Sequence, residues 1–398
     1  MFFIRNKFDS NLKYCLNNNI YKKYRVNIKC SSLLDSVCKR ITSHKGIVMS
    51  MLPSINMICA IISSPYLEKL VEYPEIEGIF LDSYAFLCGS SVHAANSINF
   101  RGKKYSSGKD IGVALIDSGV YPHEDLQLPN KKIKNFIDLI NNYSYPYDDN
   151  GHGTFMAGII CGSGISSNDM YKGIAPGSHL YAIKAFNSLG RGFISDIFSG
   201  FERILEDAEN YNIKVACLPF ELLDISPNVL HYFDIYFQKF IDKNIIPIVP
   251  SGSRGNMEGS IRGIAILENC ITVSGIDTTA AASPYLYSSQ GPVSKVHKPN
   301  LCAACVDICS LNSNTSYVSQ RNGVRLFPPK LTKPYTVYTG TSCSAAFISG
   351  LCACLISENS KLRFKDILSL LKLSCTSLDL PTAVQGNGKI DIDKLFPQ

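Results

Sequence analysis

Tryptophan is absent from the 398 residues, and no apolar run is long enough to cross a membrane. The longest candidate, Ile47–Ser63, is broken by Ser50, Pro53, Ser54 and Asn56, whereas a span needs about 20 apolar residues. At the amino end Met1–Ile4 is apolar, but Arg5, Lys7 and Asp9 interrupt it before a secretory core can form. With neither signal nor span, the expectation is a cytoplasmic protein. Acidic residues are scarce at that end. Residues 1–46 hold ten Lys and Arg against Asp9 and Asp35, a surplus of +8 on a chain of net charge +6. The rest is therefore slightly acidic, at −2. A basic head can touch nucleic acid or acidic membranes, but a solvated small domain beside a larger, slightly acidic one explains it without such a partner.

Cysteine, by contrast, is plentiful at fifteen residues. Several lie in apolar runs, such as Cys352 and Cys354 in GLCACLI, which reads as buried thiols in a reducing compartment. Cys302-x2-Cys305-x3-Cys309 resembles part of a ligand set but has no fourth ligand nearby. No metal or cofactor is expected. Asp148 and Asp149 are the acids a structural calcium would use, and they read instead as solvated loop acids.

The periodicities divide the chain. Residues 1–24 show no period and read as a basic tail. Across residues 25–84 strand and helix patterns follow in the order β-α-β-β-α-β, which fits a ferredoxin-like α+β module. Residues 85–108 are rich in Gly, Ser and Asn and read as a linker. From 109 to 398 strands alternate with helices, as in a mostly parallel sheet covered on both faces, a three-layer α/β/α domain.

Three islands in that last region carry chemistry: Asp117 in VALIDSGV, His152 in NGHGTFMAG and Ser342 in GTSCSAAF. A serine hydroxyl attacks a carbonyl only when a base takes its proton. His152 titrates near neutrality and can do so, and Asp117 would fix the imidazole's tautomer. Asp117 ends a buried strand, where open α/β sheets gather reactive groups. Ser342 opens a helix, whose N-terminus favours developing negative charge. D-S-G alone is a common turn, but the order Asp, His, Ser on elements of the right kind is specific.

On these islands the chain resembles the subtilisin-like (subtilase) serine proteases, over essentially residues 25–398. YKGIAPGSH (171–179), KAFNSLGRGFISDI (184–197) and SSQGP (288–292) followed by Lys298-Pro299 resemble further family segments. The missing secretory signal makes the chain most similar to the intracellular bacterial branch. The resemblance implies an Asp117–His152–Ser342 triad acting on a peptide or protein substrate. It also implies that Gly190, Arg191, Gly192 and Phe193 pair with the substrate backbone. The first module is similar to the family's propeptide, so the chain would be its own intramolecular inhibitor until cut between Leu81 and Lys109.

Two family positions are altered. Where a second substrate strand reads Ser-Leu-Gly, this chain has Pro219-Phe220-Glu221 after Leu218. Proline donates no N–H, and glutamate replaces a glycine of close approach. Where the oxyanion-hole asparagine belongs, after Gly252, stands Ser253. Losing such a donor costs about 10²–10³ in kcat, a magnitude itself obtained on a subtilisin. Ser253 or Asn256 are the replacement candidates. Two readings follow: a serine endopeptidase of narrow or reduced activity, or a protease-like binding module that keeps only the fold.

Overall fold

Alternation makes Lys23–Cys30 a one-sided strand: Tyr24, Val26, Ile28 and Cys30 are buried, while Lys23, Arg25 and Lys29 face outward. The computed structural model, which describes residues 7–82, 90–98, 105–222, 227–292 and 297–397, places this strand in the smaller of two units, Met1–Cys88. Its helices are α1 (Ser10–Asn17), α2 (Leu34–Ser43) and α3 (Ser64–Leu70), and its strands β1 (Lys23–Cys30), β2 (Ile47–Leu52), β3 (Met57–Ser63) and β4 (Ile76–Leu81). The sheet is antiparallel in the order β2-β3-β1-β4, and the β-α-β-β-α-β order is the one the periodicities predict. The basic tail expected at 1–24 is corrected over its described part. Helix α1 forms there, with Leu12 and Leu16 in the same core as Val26 and Ile41. Its entry is set by Asp9, whose carboxylate accepts from the Leu12 N–H at 3.1 Å.

The larger unit, Gly89–Gln398, is built on parallel strands. These are β5 (Gly112–Asp117), β6 (Ile133–Asp138), β7 (His179–Lys184), β8 (Ile213–Cys217), β9 (Ile246–Pro250), β10 (Ile271–Asp277) and β11 (Leu301–Ala304), in the spatial order β11-β10-β9-β8-β5-β7-β6. Every residue of β5 is buried, which explains its unbroken apolar sequence. Val113 and Leu115 point to one face, covered by α4 (His152–Cys161) and later by α7 (Thr341–Glu358). Ala114 and Ile116 point to the other, covered by α5 (Ile194–Asp207) and α6 (Pro227–Asp242). Phe201, Phe233, Phe237 and Phe240 cluster there, each burial stabilising by about 1.5–3 kcal/mol. The α/β/α layering is as expected.

The linker expectation for 85–108 is also corrected where the residues are described. Ser90–Ser91 pairs in parallel with Ile308–Cys309, and Val92, Ala95 and Ile98 join the large core. Strand β12 (Ile308–Leu311) pairs on its other side with β13 (Tyr335–Tyr338), antiparallel, and β13 leads directly to α7.

Candidate active site

The chain leaves β5 for β6, two places away, returns to β7 beside β5, and crosses to β8 on the other flank. That reversal of direction opens a crevice at the carboxyl end of β5. Asp117 is the last residue of the strand and is buried. His152 is the first residue of α4, presented by Gly151 at φ 101°, a left-handed conformation that suits glycine. A side chain at Gly153 would collide with the Gly119 carbonyl and meet Asp117 Cβ at 3.0 Å, so only glycine lets the imidazole approach the acid. Both carboxylate oxygens of Asp117 lie 2.8 Å from His152 Nδ1. Nε2 is thus the ring nitrogen turned away from the acid. Burial pulls the imidazole pKa down, but the Asp117 charge and hydrogen bond, with Asp148 behind them, outweigh it. The net displacement is above the ordinary 6.5.

Ser342 is the second residue of α7. From Thr341 to Ile356 it is the one helix residue that is not buried. The helix is long and apolar enough to cross a membrane by composition, but its residues are the core of the large unit. Ser342 lines the same cleft as Asp117 and His152, of about 820 Å³, and its hydroxyl donates to the Pro219 carbonyl at 2.9 Å. Its N–H is among the first-turn donors that have no helical acceptor.

Asp148 and Asp149 correct the expectation of solvated acids. Asp148 is fully buried and accepts from Ser118 Oγ, the N–H groups of Asn150, Gly151 and Thr154, and Thr154 Oγ1, at 2.6–3.1 Å. Burial raises its pKa, which the Thr154 and Gly151 hydrogen bonds only partly offset. It shapes the turn that presents His152. Asp149 pairs at 2.5 Å with Lys184, a fully buried lysine that also donates to the Ser118 and Phe186 carbonyls. No three His, Cys, Asp or Glu side chains converge on one point among the described residues. Fourteen cysteines are described; all are free thiols and eleven are buried.

The substrate candidates divide. Gly190, Pro219, Phe220, Glu221 and Gly252 line the cleft, with Phe220 against Phe186 at 5.2 Å between ring centres. Arg191, Gly192, Phe193 and Leu218 do not. Phe193 caps α5 with its side chain in solvent, and Leu218 is buried in the core behind the wall. Asn256 is not brought to the cleft either; its backbone is tied to Leu286, and Gln290 donates to its carbonyl. Ser253 is in the cleft but not free. Its hydroxyl donates a short hydrogen bond to one Glu221 oxygen, and its N–H donates to the other at 3.2 Å. Sequence reasoning missed this contact, together with Lys184 and with Tyr338, whose ring stands edge-on to His152 at 5.5 Å. Tyr338 closely precedes Ser342, which is the only signal that marked it.

A cleft at a sheet switch point, with an acid–imidazole pair and a half-buried serine at a helix entry, is that of a hydrolase with a serine nucleophile. Residues 108–388 match the subtilase family (peptidase S8). Serine protease AprX of Bacillus subtilis (strain 168) is 30% identical over 307 residues, covering 73% of this chain and 67% of its own. Subtilisin DY of Bacillus licheniformis is 24% identical over 309 residues, 77% of this chain and 96% of its own. Among solved structures, S41 psychrophilic protease superposes with a TM-score of 0.61 at 20% identity, covering 77% of this chain and all of that one. The chain belongs to the subtilase family. It is a subtilisin-like serine endopeptidase, and its substrates are peptides or proteins.

Proposed function

We propose that the protein cleaves peptide bonds through Ser342 as nucleophile, His152 as base and Asp117 as the group that orients and charges the imidazole. The observation that carries this reading is the bidentate approach of Asp117 to Nδ1, which leaves Nε2 to take a proton. Ser342 Oγ swings from the Pro219 carbonyl to Nε2 by a side-chain rotation. Its proton passes to Nε2 as Oγ attacks the carbonyl, and the imidazolium then protonates the leaving amine. Water deacylates the enzyme by the same relay.

The oxyanion receives the Ser342 N–H at the start of α7 and, in place of asparagine, the shorter Ser253 hydroxyl. With Ser253 held by Glu221, activity is reduced or narrow, on the order of the 10²–10³ that one such donor supplies. The Met1–Cys88 unit, with its own core, is a propeptide that holds the precursor inactive. The relatives are proteases by name, and nothing in them favours a binding module that has lost catalysis.

The experiment is labelling with a fluorophosphonate probe. Folded wild-type protein should be labelled at Ser342, and Ser342→Ala should lose both the label and hydrolysis, by several orders of magnitude. Unlabelled, correctly folded wild type would overturn the assignment.

A further inference from the structure

The two altered positions touch each other. Glu221 stands two residues beyond Pro219, whose carbonyl holds Ser342 Oγ, and Ser253 follows Gly252, whose carbonyl accepts from Thr341 Oγ1 at 3.3 Å. Both residues line the cleft that Ser342 lines, in the loops that follow the neighbouring strands β8 and β9. A hydroxyl has one proton to donate. While the Ser253 proton is on Glu221 it cannot serve the oxyanion.

Glu221 is also the charge a substrate meets. Among the described residues lining the cleft, the carboxylates are Asp117 and Glu221, and no lysine or arginine lines it. Asp117 is engaged with His152. Arg254 Nε forms a long ion pair with Glu221 at 4.0 Å while its Nη2 donates to the Leu222 carbonyl at 3.1 Å, and the Ser253 hydroxyl and N–H donate to the Glu221 carboxylate. A carboxylate has about four acceptor sites, and two are taken. The Glu221 side chain is 32% exposed, open to an incoming group.

We propose that Glu221 is a specificity-determining residue: it takes the cation of a Lys or Arg side chain on the acyl side of the scissile bond, and in doing so releases the Ser253 hydroxyl to the oxyanion. The inference rests on Ser342 being the nucleophile. The Ser253–Glu221 bond is itself charge-assisted, and a cation seated on the open carboxylate sites draws negative charge away from the hydroxyl, weakening that bond and freeing the donor. Cationic substrates gain twice, in binding and in turnover. Apolar ones leave the carboxylate without a substrate cation and the donor still held.

The test uses the full chain and peptides identical except for Lys, Arg, Leu or Phe before the cleaved bond. Wild type is expected to favour Lys and Arg by about 10–100-fold in kcat/KM. Glu221→Gln should collapse that ratio. Ser253→Ala should lower kcat for the cationic peptides more than for the apolar ones. Enzyme that labels at Ser342 yet prefers Leu or Phe, or shows no preference, overturns the inference and leaves the nucleophile standing. A ratio unchanged in Glu221→Gln also overturns it, and an equal loss from Ser253→Ala with both peptide classes removes the release step. Absence of label instead defeats the reading of Ser342. The wild-type ratio needs no variant, so a failure of either variant to fold does not protect the idea.

Discussion

The imidazole at position 152 accepts a proton only when neutral, and its surroundings oppose neutrality. Burial favours the uncharged ring, yet the Asp117 carboxylate against Nδ1 and Asp148 behind it carry the pKa above 6.5. The sign is fixed by that direction. At pH below the raised pKa the ring is charged and cannot take the Ser342 proton, so activity climbs with pH along a limb whose midpoint lies above 6.5. Asp117→Asn removes the charge. The limb in kcat/KM should then move to lower pH while the rate falls by about 10⁴, the cost of an imidazole held in the wrong tautomer. A pH profile of kcat/KM for both proteins checks this; a limb that stays in place in Asp117→Asn would mean another group titrates. Asp148 works at the same scale without touching the reaction. Its five accepted hydrogen bonds hold Gly151 and Thr154, and through them the entry of α4.

At the scale of elements, the site depends on how closely α4 passes the β12 strand and the α7 helix. Gly158 sits in the middle of α4, where alanine ordinarily favours helix by about 1 kcal/mol. Here a Cβ would run into Ser310 Oγ and meet Leu311 Cγ at 2.5 Å and the Leu311 N–H group at 3.0 Å, part of it backbone that cannot give way. Overpacking of this kind costs about 1–3 kcal/mol, so Gly158→Ala should lower Tm by several degrees instead of raising it. Thermal unfolding of the pair decides between propensity and packing. Such contacts are what the sequence could not display. Strand β5 and helix α7 were legible because their residues are buried almost throughout and carry a plain apolar signal. The β-α-β-β-α-β order of the small unit was legible from alternation. Strand β6, reading Ile-Lys-Asn-Phe-Ile-Asp, is only half buried and breaks its alternation at Lys134-Asn135, where its register with β7 also shifts. Strands β12 and β13 are four residues each, too short for a period to show. In the site, the triad residues stood out because each lies within two residues of a glycine, in D-S-G, G-H-G and G-T-S runs. The Glu221–Ser253 contact joins positions 32 residues apart on different strands, and no local spacing announces it. The buried Lys184 is likewise invisible: it ends an apolar strand as a solvated lysine would, and Asp149, two carbonyls and the Tyr147 ring hold it inside.

The whole molecule is two units with separate cores, and both carry a net positive charge, +4 over residues 1–88 (11 Lys and Arg against 7 Asp and Glu) and +2 over residues 89–398 (28 against 26). Net charge therefore supplies no attraction between the two pieces, and salt screens exposed charges beyond about 8–10 Å in any case. A module with a core of its own can leave after a single cut, whereas one sharing a core could not. The separate core of Met1–Cys88, built on Leu12, Val26, Ile28, Ile58 and Leu67, lets it fold and depart as a piece. If this unit is a propeptide, the cut is made by the protein itself and falls between Leu81 and Lys109. Purified wild type should then lose its first roughly 80–110 residues, while Ser342→Ala, lacking the nucleophile, keeps its full mass of 43.8 kDa. Mixing the two proteins separates cutting within one chain from cutting between chains, because wild type added in trace amounts would process Ser342→Ala only in the second case. Intact mass spectrometry reads all three samples. Equal masses for wild type and Ser342→Ala, in protein that labels at Ser342, would show an active protease that carries its first unit permanently, and the precursor reading would fall.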